Sequence, residues 1–152
     1  MRAVRCCDKH INVVDVPAPK PHSEGVIVKV RSAGICSSDL HMIDAGFELP
    51  HTMGHEVAGV LSDGRAVAVE PIGPCGHCDM CITGDYYLCR LGSAMIYGLA
   101  HDGGMADEIL VPERCIVPLT NIVSAADACL VAPLAVAAHG VRQLDLKPNK
   151  RV

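Results

Sequence analysis

Aromatic side chains are scarce in this 152-residue chain: it has no Trp, one Phe and three Tyr. A core of stacked rings is thereby excluded. Half of all residues are hydrophobic, so the buried volume must come from Val, Ile, Leu, Ala and Met. Clusters of Lys and Arg are also missing, and the net charge is −4 from 13 basic and 17 acidic residues. Phosphate contacts need grouped cations, so a nucleic-acid partner is not expected. No apolar run approaches the ~20 residues of a membrane-crossing helix, and no membrane partner is expected. The opening MRAVRCCDKH lacks the apolar stretch of a secretory signal. No G-x-G-x-x-G follows a strand anywhere in these residues, which leaves out the dinucleotide-binding fingerprint.

Cysteine is abundant, with nine residues. Without a secretion signal, these fit a cytoplasmic, reducing setting that keeps thiols available to metal. Four of them, Cys75, Cys78, Cys81 and Cys89, follow the spacing C-x2-C-x2-C-x7-C. A tetrahedral Zn²⁺ takes four thiolates at about 2.3 Å, and x2 spacings let neighbouring ligands curl round one ion in a loop. Gly73, Pro74, Gly76 and Gly84 supply turns for such a loop. Cysteines this close in sequence pair poorly with each other as disulfides. A structural zinc is expected in a lobe near residues 71–92. Of the other five, Cys6, Cys7, Cys115 and Cys129 are expected to be buried, as free cysteine often is, and Cys36 belongs to a second constellation.

A second constellation lies upstream, in Cys36-Ser37-Ser38-Asp39-Leu40-His41 and Gly54-His55-Glu56. Singly, each residue reads equally well as packing or surface. Together they offer a thiolate, an imidazole and a carboxylate, the groups that hold a catalytic zinc with an open position. Ser38 and His41 add a hydroxyl and an imidazole able to pass a proton.

Patterning predicts a mainly β chain with short helices. Met1–Cys7 and Ile11–Val16 read as a hairpin turning near Asp8–Lys9. Gly25–Ala33 alternates, with Val26, Val28 and Val30 on one face. Ser37–Ile43 reads as a short helix with Ser37 or Ser38 near its N-cap. His55–Leu61 and Arg65–Glu70 flank Asp63-Gly64, a hairpin signal. Glu108–Pro112 and Cys115–Leu119 read as further strands. From Ser124 the chain turns rich in Ala and Leu and is expected to be helical. Ser124 and Asp127 resemble a capping box, and Pro133 falls in the first turn of a second helix.

The segments GICSSDLH, GHEVAGV, the four-cysteine lobe, HDGGMADEILVP and APLAVAAHGVRQLDLKPNKRV resemble, in order, the zinc-dependent medium-chain alcohol dehydrogenases, in particular their sorbitol and threonine dehydrogenase branches. The resemblance implies a GroES-like, partly open barrel over residues 1–123. It also implies a helical connector over 124–152, leading to a Rossmann domain that is absent here. The activity implied is hydride transfer from an alcohol or polyol to NAD(P)⁺, in a full-length enzyme that is a homo-oligomer. Without the cofactor domain the chain is expected to be inactive. The alternative is a non-catalytic GroES-like domain that retains only the structural zinc.

By the same resemblance Cys36 and His55 are zinc ligands, Ser38 and His41 relay the alcohol proton, and Asp39 takes the other N–H of His55. The hairpin around Asp63-Gly64 is shorter than the family's usual excursion. The family places a carboxylate or cysteine near the domain junction, and the polyol branch reads E-P-L-A there. Here the segment is Ala132-Pro133-Leu134-Ala135, and a methyl group binds no metal. Glu56 is the expected substitute, as ligand and catalytic residue, with Cys129 a lesser candidate. His139 is expected to serve packing or the surface.

Overall fold

A computed structural model describes residues 1–23 and 25–144. The chain opens on a hairpin, β1 (Arg2–Cys7) and β2 (His10–Asp15), paired from Arg2↔Asp15 to Cys7↔His10. Its two-residue turn, Asp8–Lys9, has φ of 50° and 63°. Both signs are those of a type I′ turn, whose twist matches the flanking strands. The Lys9 ammonium then donates to the Asp44 carbonyl at 3.1 Å, a cation at a helix C-terminus.

The main sheet holds β3 (Gly25–Gly34), β4 (Glu56–Val60), β5 (Ala66–Val69), β6 (Glu108–Pro112) and β7 (Ile116–Pro118). Its order is β6-β3-β4-β5-β7, and every pairing is antiparallel. The sheet curls strongly into a half-barrel, the GroES-like architecture expected. Val28, Val57, Val67, Val69, Ile109 and Val111 fill it, with Leu61 and Cys115, while Val26 and Val30 pack against them. Valine dominates because every second side chain of a strand faces this core. A smaller cluster of Cys6, Ile43, Leu49 and Met53 lies under the hairpin.

Three helices accompany the sheet: α1 (Ser37–Asp44), α2 (Asp79–Thr83) and α3 (Val131–Gln143). Helix α1 differs from expectation at its start. Its N-cap is Cys36, not a serine, and the Asp39 carboxylate accepts the Cys36 N–H at 3.0 Å. A carboxylate reaching back over the first turn satisfies an otherwise orphaned donor.

The expected helix at Ser124 does not form. The Ser124 hydroxyl instead accepts the Ala126 N–H at 3.2 Å, a 3₁₀ turn covers Ala128–Leu130, and α3 begins at Val131. Ser32 on β3 is the tertiary cause. Its hydroxyl donates to the Ala125 carbonyl at 2.7 Å and accepts the Cys129 N–H at 3.2 Å. These two bonds pin the segment to the strand. Pro133 does sit in the first turn of α3, where its missing N–H costs nothing.

The spare cysteines divide. Cys6 and Cys115 are buried, but Cys7 is exposed and Cys129 half-buried. Cys7 follows Cys6 along β1, and successive strand side chains point to opposite faces. Among the described residues no helix is long and apolar enough to cross a membrane. Residues 145–152 of the expected connector lie outside the described part.

Candidate metal centres

The four lobe cysteines converge. The Sγ atoms of Cys75 and Cys81 lie 3.8 Å apart, those of Cys78 and Cys81 3.5 Å, and those of Cys78 and Cys89 4.0 Å. A tetrahedron of sulfurs at about 2.3 Å from a zinc has edges of about 3.8 Å, so the cradle has the size the ion requires. A disulfide needs about 2.05 Å, and all nine cysteines are free.

Local structure builds the cradle. Cys78 is the N-cap of α2, which brings Cys81 round one turn, and a 3₁₀ turn at Tyr86–Leu88 delivers Cys89. The Cys78 N–H donates to Cys75 Sγ at 3.3 Å, and the Cys75 N–H to Cys89 Sγ at 3.4 Å. Backbone hydrogen bonds from Arg90 and Cys81 hold the Cys78 thiol down at about 6. Burial, with its three sulfur neighbours, pushes Cys81 up to about 12. A cation at the centre of the cluster would favour the thiolate form of all four. His77 stands outside this shell, exposed, with Nδ1 2.9 Å from the Cys75 carbonyl oxygen.

The second constellation is assembled by the sheet. Cys36 caps α1 just beyond the end of β3, Glu56 opens β4, and His55 immediately precedes it. The ligand atoms of Cys36, His55 and Glu56 all lie within 4.8 Å of one another. The His55 ring is held from both sides: Nε2 is 3.3 Å from Ser38 Oγ, and Nδ1 is 3.5 Å from Asp39 Oδ1. Asp39 is 1% exposed, and among the described residues neither Asp39 Oδ1 nor His55 Nδ1 has a hydrogen-bond partner. A buried carboxylate facing Nδ1 favours the tautomer with its proton there, which leaves Nε2, beside Ser38 Oγ, as the ring's lone-pair nitrogen. Thiolate, imidazole and carboxylate together suit a zinc ion with an open position.

The segment that carries His55 is locked by HDGGMADE. The Asp102 carboxylate accepts the Thr52 N–H at 2.7 Å. Gly103, Gly104 and Met105 donate to the carbonyls of Thr52, Gly54 and Met53 at 2.7, 2.9 and 2.8 Å. Gly54 has φ 96°, and a Cβ there would fall 2.9 Å from the Met105 nitrogen. Only glycine allows both that conformation and that approach. This clamp was not evident from sequence, because Asp102 stands 50 residues from its partner.

His41 is exposed on α1, three residues beyond Ser38 and on the same side of the helix. Ala132 is on the wall of an apolar cavity of about 430 Å³ that it shares with Val57, Glu70, Tyr86, Val131 and Ala135. Cys129 Sγ turns to the Asp127 carbonyl at 3.9 Å and joins no metal-binding group among the described residues. His139 is exposed, its Nε2 3.4 Å from Gln143 Nε2.

The alcohol dehydrogenase GroES-like domain profile matches residues 22–121. The chain belongs to this family of zinc-type medium-chain dehydrogenases. It is 33% identical over 174 residues to an NAD-dependent alcohol dehydrogenase of Sulfurisphaera tokodaii, covering 99% of this chain and 50% of that one. An L-galactonate-5-dehydrogenase of Escherichia coli is 32% identical over 147 residues, covering 88% of this chain and 42% of the relative. Galactitol-1-phosphate dehydrogenase of Escherichia coli superposes with a TM-score of 0.85 at 30% identity, covering 99% of this chain and 47% of that structure. The chain thus spans about half the length of the curated relatives it matches.

Proposed function

We propose that this chain carries the substrate-side chemistry of a zinc-dependent alcohol or polyol dehydrogenase, which transfers hydride from a secondary alcohol to NAD(P)⁺. The convergence of Cys36, His55 and Glu56, with His55 held between Ser38 and Asp39, carries the reading. The polyol preference draws support from the galactonate and galactitol-phosphate dehydrogenases to which the chain is similar.

Oxidising a secondary alcohol removes a proton from oxygen and a hydride from carbon. Cys36, His55 and Glu56 would hold a zinc ion, which would supply the Lewis acidity that makes an alcohol proton labile. A Cys36 thiolate and a Glu56 carboxylate would together balance the charge of a dication, and His55 would add a third donor. Ser38, beside the His55 ring, accepts the proton, and exposed His41 passes it to solvent. Asp39 keeps the ring in the right tautomer throughout. Cys75, Cys78, Cys81 and Cys89 would hold a second zinc with four thiolates, a ligand set that would serve structure.

The hydride acceptor needs a Gly-rich cradle and a helix N-terminus at its pyrophosphate. These 152 residues contain no such motif. Calorimetry with NAD⁺ or NADP⁺ and this chain alone should show no saturable binding. Micromolar binding would refute that division of labour.

The second reading is a GroES-like domain that keeps only the lobe zinc. Ala132 favours it, since it lines an apolar wall where the polyol branch has a carboxylate. Zinc content separates the two. Two ions per chain are expected for the enzyme reading, and one, lost with the lobe cysteines, for the other.

A further inference from the structure

We infer that Gly34 is the positioning residue of the second metal centre: the space left by its missing side chain is where the Glu56 carboxylate lies when it joins Cys36 and His55. The inference rests on reading that trio as a metal site. Gly34 ends β3 directly across the ladder from Glu56, the first residue of β4. A Cβ built on Gly34 would fall on Glu56 Oε2, and its next neighbours are the Glu56 Cβ and Cδ at 3.0 and 3.3 Å. All three nearest atoms therefore belong to one side chain. The Gly34 φ is not positive, so alanine suits the backbone as it stands.

The collision is selective for that reason. A carboxylate on a flexible stem swings aside at little cost, while the Glu56 Cβ, at 3.0 Å, must give by a few tenths of an ångström. Gly59 on the same strand pair is different, because a Cβ there would overlap the Lys29 carbonyl in the backbone itself. At Gly34 the three atoms nearest the added methyl all belong to Glu56, with its carboxylate oxygen the nearest. Cys36 and His55 would then face a dication with one negative charge and no third ligand.

The experiment compares wild type, Gly34→Ala, Glu56→Ala and the double variant of this chain, titrating zinc against a competing chelator. Cobalt spectra of the four-cysteine lobe and the melting temperature serve as internal controls. Gly34→Ala should keep the lobe spectrum and the melting temperature, yet weaken the second ion about 10–100-fold, the range seen when a group that orients a metal ligand is lost. In the Glu56→Ala background Gly34→Ala should have no further effect, because a residue acting through Glu56 has nothing left to act on. Unchanged affinity in Gly34→Ala overturns the proposal. So does an equal loss in both backgrounds, which would make Gly34 a packing residue. If wild type holds only the lobe ion, the metal-centre reading falls, and this inference with it.

Discussion

A chain carrying Cys78→Ser and Cys81→Ser should lose one metal ion, and its cobalt-substituted form should lose the intense absorption of tetrahedral thiolate ligation. The expected effect is large because little else holds the lobe. Between Pro71 and Met95 only Pro74, Cys89 and Met95 are buried, and no residue of this stretch belongs to either core cluster. Structural zinc contributes on the order of 10 kcal/mol to folding in small zinc modules, and here that sum is concentrated in one loop. The unfolding should be local. Limited proteolysis should cut within residues 75–92, while amides of β3, β4 and β5 keep their protection from exchange, since their valine core does not include the lobe. Metal content equal to wild type would refute four-cysteine ligation.

Asp39→Asn should strip the second ion while leaving the lobe ion in place. The wild-type carboxylate does two things from a buried position. It accepts the N–H of Cys36, which fixes the start of α1, and it faces His55 Nδ1. Asparagine can still accept from Cys36, but it brings no charge and offers an N–H₂ group toward the ring. The favoured His55 tautomer then loses its support, and affinity at that site should fall about 10–100-fold. Asp39→Ala should add a stability loss of about 1–3 kcal/mol, because the Cys36 N–H is left without an acceptor. Competition with a chromogenic chelator reads both sites in one titration. The mixed-ligand ion should leave first in wild type, and sooner still in Asp39→Asn. Equal retention of both ions by Asp39→Asn would remove Asp39 from this role.

Much of this protein was legible in its sequence, wherever the deciding contacts are local. The lobe is the clearest case. Its four sulfurs fall within 15 residues, and one short helix with one 3₁₀ turn brings them together, so spacing alone specifies the cradle. Strand alternation in β3 and the Asp63-Gly64 turn work the same way, since period-two burial and turn chemistry act over a few residues. Other features depend on partners far along the chain. Ser124 and Asp127 look like a helix start, but Ser32, more than 90 residues away, pins the segment into a turn. The trio of Cys36, His55 and Glu56 could be nominated from sequence but not assembled, because the register of β3 against β4 decides whether they meet. Gly34 and Asp102 carried no local signal at all. One matters for the atoms it lacks opposite Glu56, the other for a hydrogen bond across the fold. Composition and short-range spacing thus determined the β class and the four-cysteine lobe, which rest on contacts within a turn or two. The second centre was decided only by tertiary structure, because cross-strand pairing, not sequence distance, sets which side chains share a point in space.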